Sequence, residues 1–362
     1  MNESFRSERA RVWIGAVLAL AVLVACGGQS HSQNSSREAS ATARLTGNAS
    51  SEWSPPANVG SPINSVDNEF QPALSSDGLT FYFAGHRTHD VLASACDTSA
   101  AAPVNYGGND LYFATRDCLD PEACPWTTPT NMGPIINGSG DESGPFPSAD
   151  GHDLYFASRS HGGFGGADIF RTHRSDVNDP CGWEAPVNLG SDVNTNSNDA
   201  DPCLANMNGT TVLYFARSQT PDGQSGAQVF DIYASIVDSD SGAFGSVQPV
   251  NVSDPGNPSV RDAHPSIYND SMVFSSNRRV GYGGNDLWIS LLEDNTDVIG
   301  GWSSPVNLGG NVNTTNNEGA PFAWSDPTGD LYLYFVSDRP GGYGQRDFYL
   351  TRPRSASASL AQ

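Results

Sequence analysis

The sequence contains no lysine: all 18 of its cationic side chains are arginines, set against 40 aspartates and glutamates, for a net charge of −22. That absence excludes mechanisms that turn on an ε-amino group, namely P-loop nucleotide binding, Schiff-base chemistry and Ser-Lys hydrolysis. The scarcity of positive charge argues against nucleic acid as a partner, because a phosphate backbone demands clustered cations. Long apolar stripes of 3.6-residue period are missing too, so there is little from which to build helices. Neither G-x-S-x-G nor H-E-x-x-H occurs, which removes two hydrolase signatures. What is plentiful is turn chemistry: 38 glycines and 24 prolines among many Asn, Ser and Asp. This composition predicts an all-β chain with many tight connections.

The N-terminus reads as a processing segment. Arg6, Arg9 and Arg11 precede the apolar run "VWIGAVLALAVLV", which is too short for a comfortable membrane span. The block Leu23-Val24-Ala25-Cys26 resembles a bacterial lipobox, which implies a lipoprotein signal peptide over 1–25 and lipidation of Cys26. No aspartate follows the cysteine, so an outer-membrane address in the cell envelope is expected, on the periplasmic face or the cell surface. Residues 26–52 are Ser/Ala/Asn-rich and read as a flexible tether. Five further cysteines follow, an odd number that leaves one outside any intrachain pair. Cys118 and Cys124, within the loop "DCLDPEAC", are the expected disulfide.

Self-similarity organises the rest. The motif W-x-x-P-x-N-[LVM]-G begins at Trp53, Trp126, Trp183 and Trp302, with a degenerate copy at Phe244, giving a repeat of about 60 residues. Each copy leads to an acid three residues before a proline: Glu69, Glu142, Asp199, Asp262 and Glu318. An aromatic β run follows and ends in Arg87, Arg159, Arg217, Arg278 or Arg339. A glycine-bearing turn then leads to an aspartate that opens another strand: Asp110, Asp168, Asp231, Asp286 or Asp347. Each unit thus holds four short strands, with the first placed after the proline, and the units suit a β-propeller. The chain starts on a Trp-led strand without a predecessor and ends at "DFYLTRP" without a successor. Pairing the two completes a fifth blade and hides both free edges. The expectation is a five-bladed propeller over 53–352, followed by a disordered tail over 353–362.

The stretches "PALSSDGLTFYFAGHR", "PFPSADGHDLYFASRSHGGFGGADIF" and "SSNRRVGYGGNDLW" resemble the TolB-like, WD40-like propeller repeat of bacterial envelope proteins. The resemblance spans essentially the whole globular part and implies a propeller used for binding in the envelope. A TolB-like protein also carries an α/β domain and six blades, whereas only a short tether and five blades are expected here.

Within each unit the acid, the arginine and the second aspartate are expected to form one structural network. Arg159 would form a cross-strand ion pair with Asp168 and reach Glu142. Catalytic residues seldom come in five equivalent sets, so no catalytic residue is assigned. No cofactor is expected, although five acids near a channel mouth offer the hard oxygens of a Ca²⁺ site unless their arginines neutralise them. The candidate binding face carries the aromatic turn residues Tyr106, Phe164, Tyr282 and Tyr343. His89 and Asp90 join them from an insertion in the first unit, where 22 residues separate Arg87 from Asp110. The functional expectation is a monomeric, non-enzymatic scaffold that binds an envelope protein or cell-wall glycan and meets the membrane only through its lipid. The alternatives are a five-bladed glycoside hydrolase or carbohydrate-binding protein, and a calcium-stabilised adhesion protein. A hydrolase would need two carboxylates converging in the channel.

Overall fold

A computed structural model describes residues 53–97, 99, 102–222, 229–253, 257 and 259–354. The leader, Cys26 and the tether lie outside the described residues. Twenty strands form five four-stranded antiparallel sheets, the blades of a five-bladed propeller. After β1 (Ala57–Asn58), blade 1 is β2 (Asn68–Leu74), β3 (Thr80–His86), β4 (Asp110–Thr115) and β5 (Thr130–Asn131). Blade 2 is β6 (Glu142–Pro147), β7 (Asp153–Ser158), β8 (Asp168–His173) and β9 (Val187–Asn188). Blade 3 is β10 (Asp199–Met207), β11 (Thr210–Ser218), β12 (Phe230–Val237) and β13 (Gln248–Pro249). Blade 4 is β14 (Asp262–Tyr268), β15 (Ser271–Ser276), β16 (Asp286–Leu291) and β17 (Val306–Asn307). Blade 5 is β18 (Glu318–Ser325), β19 (Leu331–Ser337) and β20 (Asp347–Thr351), completed by β1.

The ring closes as the repeat predicts: Ala57 pairs with Leu350 and Asn58 with Tyr349. A bridge from Trp53 to Pro353 carries the seal one residue past the expected boundary at 352. Trp53 is buried there, so the closing strand brings its own apolar anchor. Hairpin chemistry sets the register. Asn208 and Gly209, at φ 54° and 86°, form the two-residue turn from β10 to β11 that right-twisted strands favour. The second strand of every blade carries a fully buried phenylalanine at the equivalent position, Phe83, Phe156, Phe215, Phe274 or Phe335, each at 0% exposure, with Phe81 a second in blade 1. Burying such a ring is worth about 1.5–3 kcal/mol.

One feature of the strands differs from expectation. The inner strand begins at the repeated acid, or one residue before it in blade 1, and runs through the proline, instead of starting after it. The proline is accommodated because the register shifts there, in a bulge, in all five blades. The bulge places Gln71, Gly144, Asp201, His264 and Ala320 at φ between 46° and 58°. These five, each followed by proline, wall the central channel.

Candidate functional site

The repeated polar residues serve the blades. Arg217 Nε meets Asp199 Oδ1 at 2.6 Å, Arg278 Nη2 meets Asp262 Oδ2 at 2.9 Å, and Arg339 Nη2 meets Glu318 Oε1 at 3.2 Å. Arg87 approaches Glu69 at 3.8 Å with both side chains at 0% exposure. Each guanidinium also donates to a carbonyl of the loop before its inner strand, at Ile63, Val193, Val252 or Val312. Each sits over its blade's buried phenylalanine as well, 5.2–5.4 Å from the ring centroid. Arginine thus pegs the loop to the strand. Burial pushes Glu69 up to about 8 and also raises Glu142 and Asp199. Such a carboxyl would suit a general acid, but these acids are sealed off from any ligand.

Two parts of the expected network are corrected. In blade 2, Arg159 contacts neither Glu142 nor Asp168; it reaches Asn198 and forms an exposed ion pair with Asp222 at 3.3 Å. The reason is His161, whose ring packs on Phe156 and Phe170 in the arginine's place, while Glu142 accepts from Ser158 Oγ and Gly138 N. The second aspartates stand outside the arginine pairs altogether. Asp110, Asp168, Asp286 and Asp347 accept the amides of Tyr106, Phe164, Tyr282 and Tyr343 at 2.6–2.7 Å. They also accept from Asn131, Asn188, Asn307 and Asn58, the asparagines of the Trp-led motif. In blade 3, Asp231 accepts from Gln219. Burial lifts Asp110 to about 6. This explains the glycine turn: a Cβ at Gly163, Gly281 or Gly342 would collide with the aspartate that closes it.

The expected acidic ring therefore does not converge on the channel. Among the described residues no group of three or more His, Cys, Asp or Glu is placed to hold a metal. On the binding face, Phe164, Tyr282 and Tyr343 are half exposed, whereas Tyr106 is tucked in by a 2.5 Å bond to Asp97. His89 folds back on Asp67, and Asp90 has a positive φ of 50°. The described residues of the insertion do not line the channel void. They run outward, where Leu92 bridges to Thr130 of β5 and Cys96 forms a disulfide with Cys181 of the next blade. Cys118 and Cys124 are bonded as expected, and Cys203 lies buried outside both bridges.

The channel is where the repeat breaks. At the bulge, two blades offer Gly144 and Ala320 and three offer Gln71, Asp201 and His264. Side chains at positive φ cost about 1–2 kcal/mol each where glycine would cost none, and such strain gathers at functional sites. Asp201 takes Gln71 Nε2 on Oδ1 at 2.5 Å and faces His264 Nε2 from Oδ2 at 3.5 Å, so one carboxylate is held from two other blades. Gln71 Oε1 in turn accepts from Gly144 N. Ser275 Oγ accepts the amide of Ala320 and lies 3.1 Å from His264 Nδ1, within hydrogen-bond distance. Burial holds the imidazole below its ordinary pKa, with Arg261 and Arg346 adding to the effect and Asp201 opposing it. Ser275, His264 and Asp201 line up like a relay, but the serine is buried behind the inner strand and fixed by a backbone amide, so it positions the histidine. The void among these residues holds about 40 Å³, room for about one water and not for a sugar ring. A ligand would sit at the mouth above it. Sequence reasoning missed this site by following the recurrent acid; the variable position just before the recurrent proline carries it.

No family model and no curated protein matches the chain. Solved structures do. A thermostable family-43 glycoside hydrolase aligns over 82% of this chain and 95% of its own, at 11% identity and a TM-score of 0.54. This chain shares its fold with glycoside hydrolases. An alpha-L-arabinofuranosidase from Lactobacillus brevis aligns over 82% of this chain and 92% of its own (13% identity, TM-score 0.53). The catalytic domain of the Coprinopsis cinerea GH62 alpha-L-arabinofuranosidase aligns over 84% and 98% (12% identity, TM-score 0.50). The propeller implied by the TolB-like motifs is present, with five blades, but these neighbours are not TolB-like proteins. The expectation of a non-enzymatic scaffold is corrected by the same comparison: the neighbours are glycoside hydrolases, in line with the hydrolase alternative.

Proposed function

We propose that the protein is a carbohydrate-active propeller of glycoside-hydrolase type, working on a glycan at the mouth of its central channel. Asp201 is its reactive carboxylate and His264 and Gln71 its orienting partners. The observation that carries this reading is the position of Asp201. It lies where all five blades meet, at the position where the repeat departs from its own symmetry, held by a hydrogen bond from blade 1 and facing the histidine of blade 4. The lipobox-like leader adds a location: tethered through Cys26 at the cell envelope, the propeller would meet cell-wall or imported glycans.

The test is a screen of the full-length protein against polysaccharides of varied linkage, reading released sugars, with Asp201→Asn beside it. General acid-base work is worth about 10²–10⁴-fold, so the variant should lose at least about 10²-fold in rate at unchanged melting temperature. Full activity in the variant would remove Asp201 from the chemistry. A second reading, glycan binding without cleavage, is favoured by one observation. Glycosidases pair two carboxyl groups, and among the described residues the channel void is walled by Asp201 alone of the acids. Binding by both proteins with release by neither would establish it.

A further inference from the structure

Two arginines at the channel mouth belong to no peg. Arg261 directly precedes the acid that opens β14, where the other blades have Asn68, Asp141, Asn198 and Asn317. Arg346 directly precedes the aspartate that opens β20, where the others have Asn109, Ala167, Phe230 and Asn285. Each guanidinium lies over a ring from the adjoining blade: Arg261 over Phe230 and Arg346 over Phe70, both at 5.2 Å. The two interfaces mirror one another, with the arginine coming from the inner strand's start in one and from the outer loop in the other. Arg346 is placed by a bridge between its backbone and Asn68.

Neither takes part in an ion pair among the described residues, whereas Arg217, Arg278 and Arg339 all do. Arg261 Nε is buried without an acceptor, and its neighbouring charges are Arg346, which opposes it, and Asp201, which favours it. Both arginines act electrostatically on His264. A guanidinium stays charged at any working pH; Arg261 is partly buried and Arg346 exposed. In a protein of net charge −22, these two cations, both acting on the histidine that faces Asp201, form a local positive site near the mouth of the channel.

Building on the glycan reading above, we infer that the mouth selects a glycan bearing a carboxylate, a uronic-acid residue, with Arg261 and Arg346 as its specificity residues. The planar fork of arginine matches a carboxylate through two parallel N–H···O bonds. The aromatic ring under each guanidinium fixes its plane.

The experiment is calorimetric titration of the full-length protein with a uronic-acid-bearing oligosaccharide, its carboxyl-reduced twin and a sulfated oligosaccharide of equal length. The wild type should bind the uronate at least tenfold more tightly than the reduced twin. The Arg261→Gln/Arg346→Gln variant should lose that preference, and Arg279→Gln, an exposed arginine elsewhere, should keep it. Equal affinity for uronate and reduced twin in the wild type overturns the inference and leaves the glycan reading standing; this comparison needs no variant to fold. Arginine-dependent binding of the sulfated sugar alone overturns the choice of carboxylate. If no glycan, neutral or charged, is bound or cleaved, the glycan reading itself fails, and this inference with it.

Discussion

At the scale of single residues, identical amino acids do different work according to what surrounds them. Arg217 is mostly buried against a fully buried Asp199, whereas Arg159 forms its pair with Asp222 at the surface, both about 40% exposed. Arg217→Ala leaves a carboxylate stranded and should destabilise by about 3–5 kcal/mol, while Arg159→Ala should stay within about 1 kcal/mol. Denaturant unfolding of the two variants checks the contrast, and a similar loss in both would mean the pegs are not structural. The sequence showed the recurring acid and arginine but not which acid each arginine would take. Strand alternation places residues on faces, while the bulge and the loop's carbonyls decide where a long side chain ends. The same limit hid Asp201, Gln71 and His264: their orientation follows from a register shift that no residue pattern announces.

At the scale of elements, each blade is a sheet held by buried aromatics and a polar turn. Phe215→Ala should cost about 3–5 kcal/mol, as truncation of a fully buried ring does. The Cys96–Cys181 bridge spans 85 residues and straps the first-blade insertion to blade 2, so it restrains a long stretch of the unfolded chain. Cys96→Ser should lower stability by about 2–5 kcal/mol, read as a shift in melting temperature. The six-residue Cys118–Cys124 loop should matter less when opened in the same way. The number of blades and the strand that closes them were legible, because a repeat with an unmatched first and last strand admits few arrangements. The Cys96–Cys181 pair was not, since connectivity among several cysteines depends on which loops the fold brings together.

At the scale of the whole molecule, charge and ring closure govern behaviour. Burial raises Glu69 to about 8 and Asp110 to about 6 from ordinary values near 4, and it raises Glu142 and Asp199 as well. The folded state then holds protons that the unfolded chain has released. This contribution is fully present below about pH 4 and is lost as the pH rises through 6 toward 8. His264, with its lowered value, works in the opposite sense and loses its contribution as the pH falls below about 6.5, but it is one group against four. Thermal unfolding at constant ionic strength should therefore give a Tm several degrees higher at pH 5 than at pH 8; a higher Tm at pH 8 would contradict the burial of these acids.

Five near-equal blades make a stable ring, and the positions that depart from their symmetry crowd one mouth of its axis. The central claim is that this mouth is where the protein meets its substrate. The most direct measurement is a crystal structure of the full-length protein soaked with the glycan that the polysaccharide screen selects. The account predicts a sugar at the channel mouth with a hydroxyl or glycosidic oxygen about 2.6–3.2 Å from the Asp201 carboxylate. A sugar bound instead on the exposed rings of Phe164, Tyr282 or Tyr343, with the mouth vacant, would contradict it.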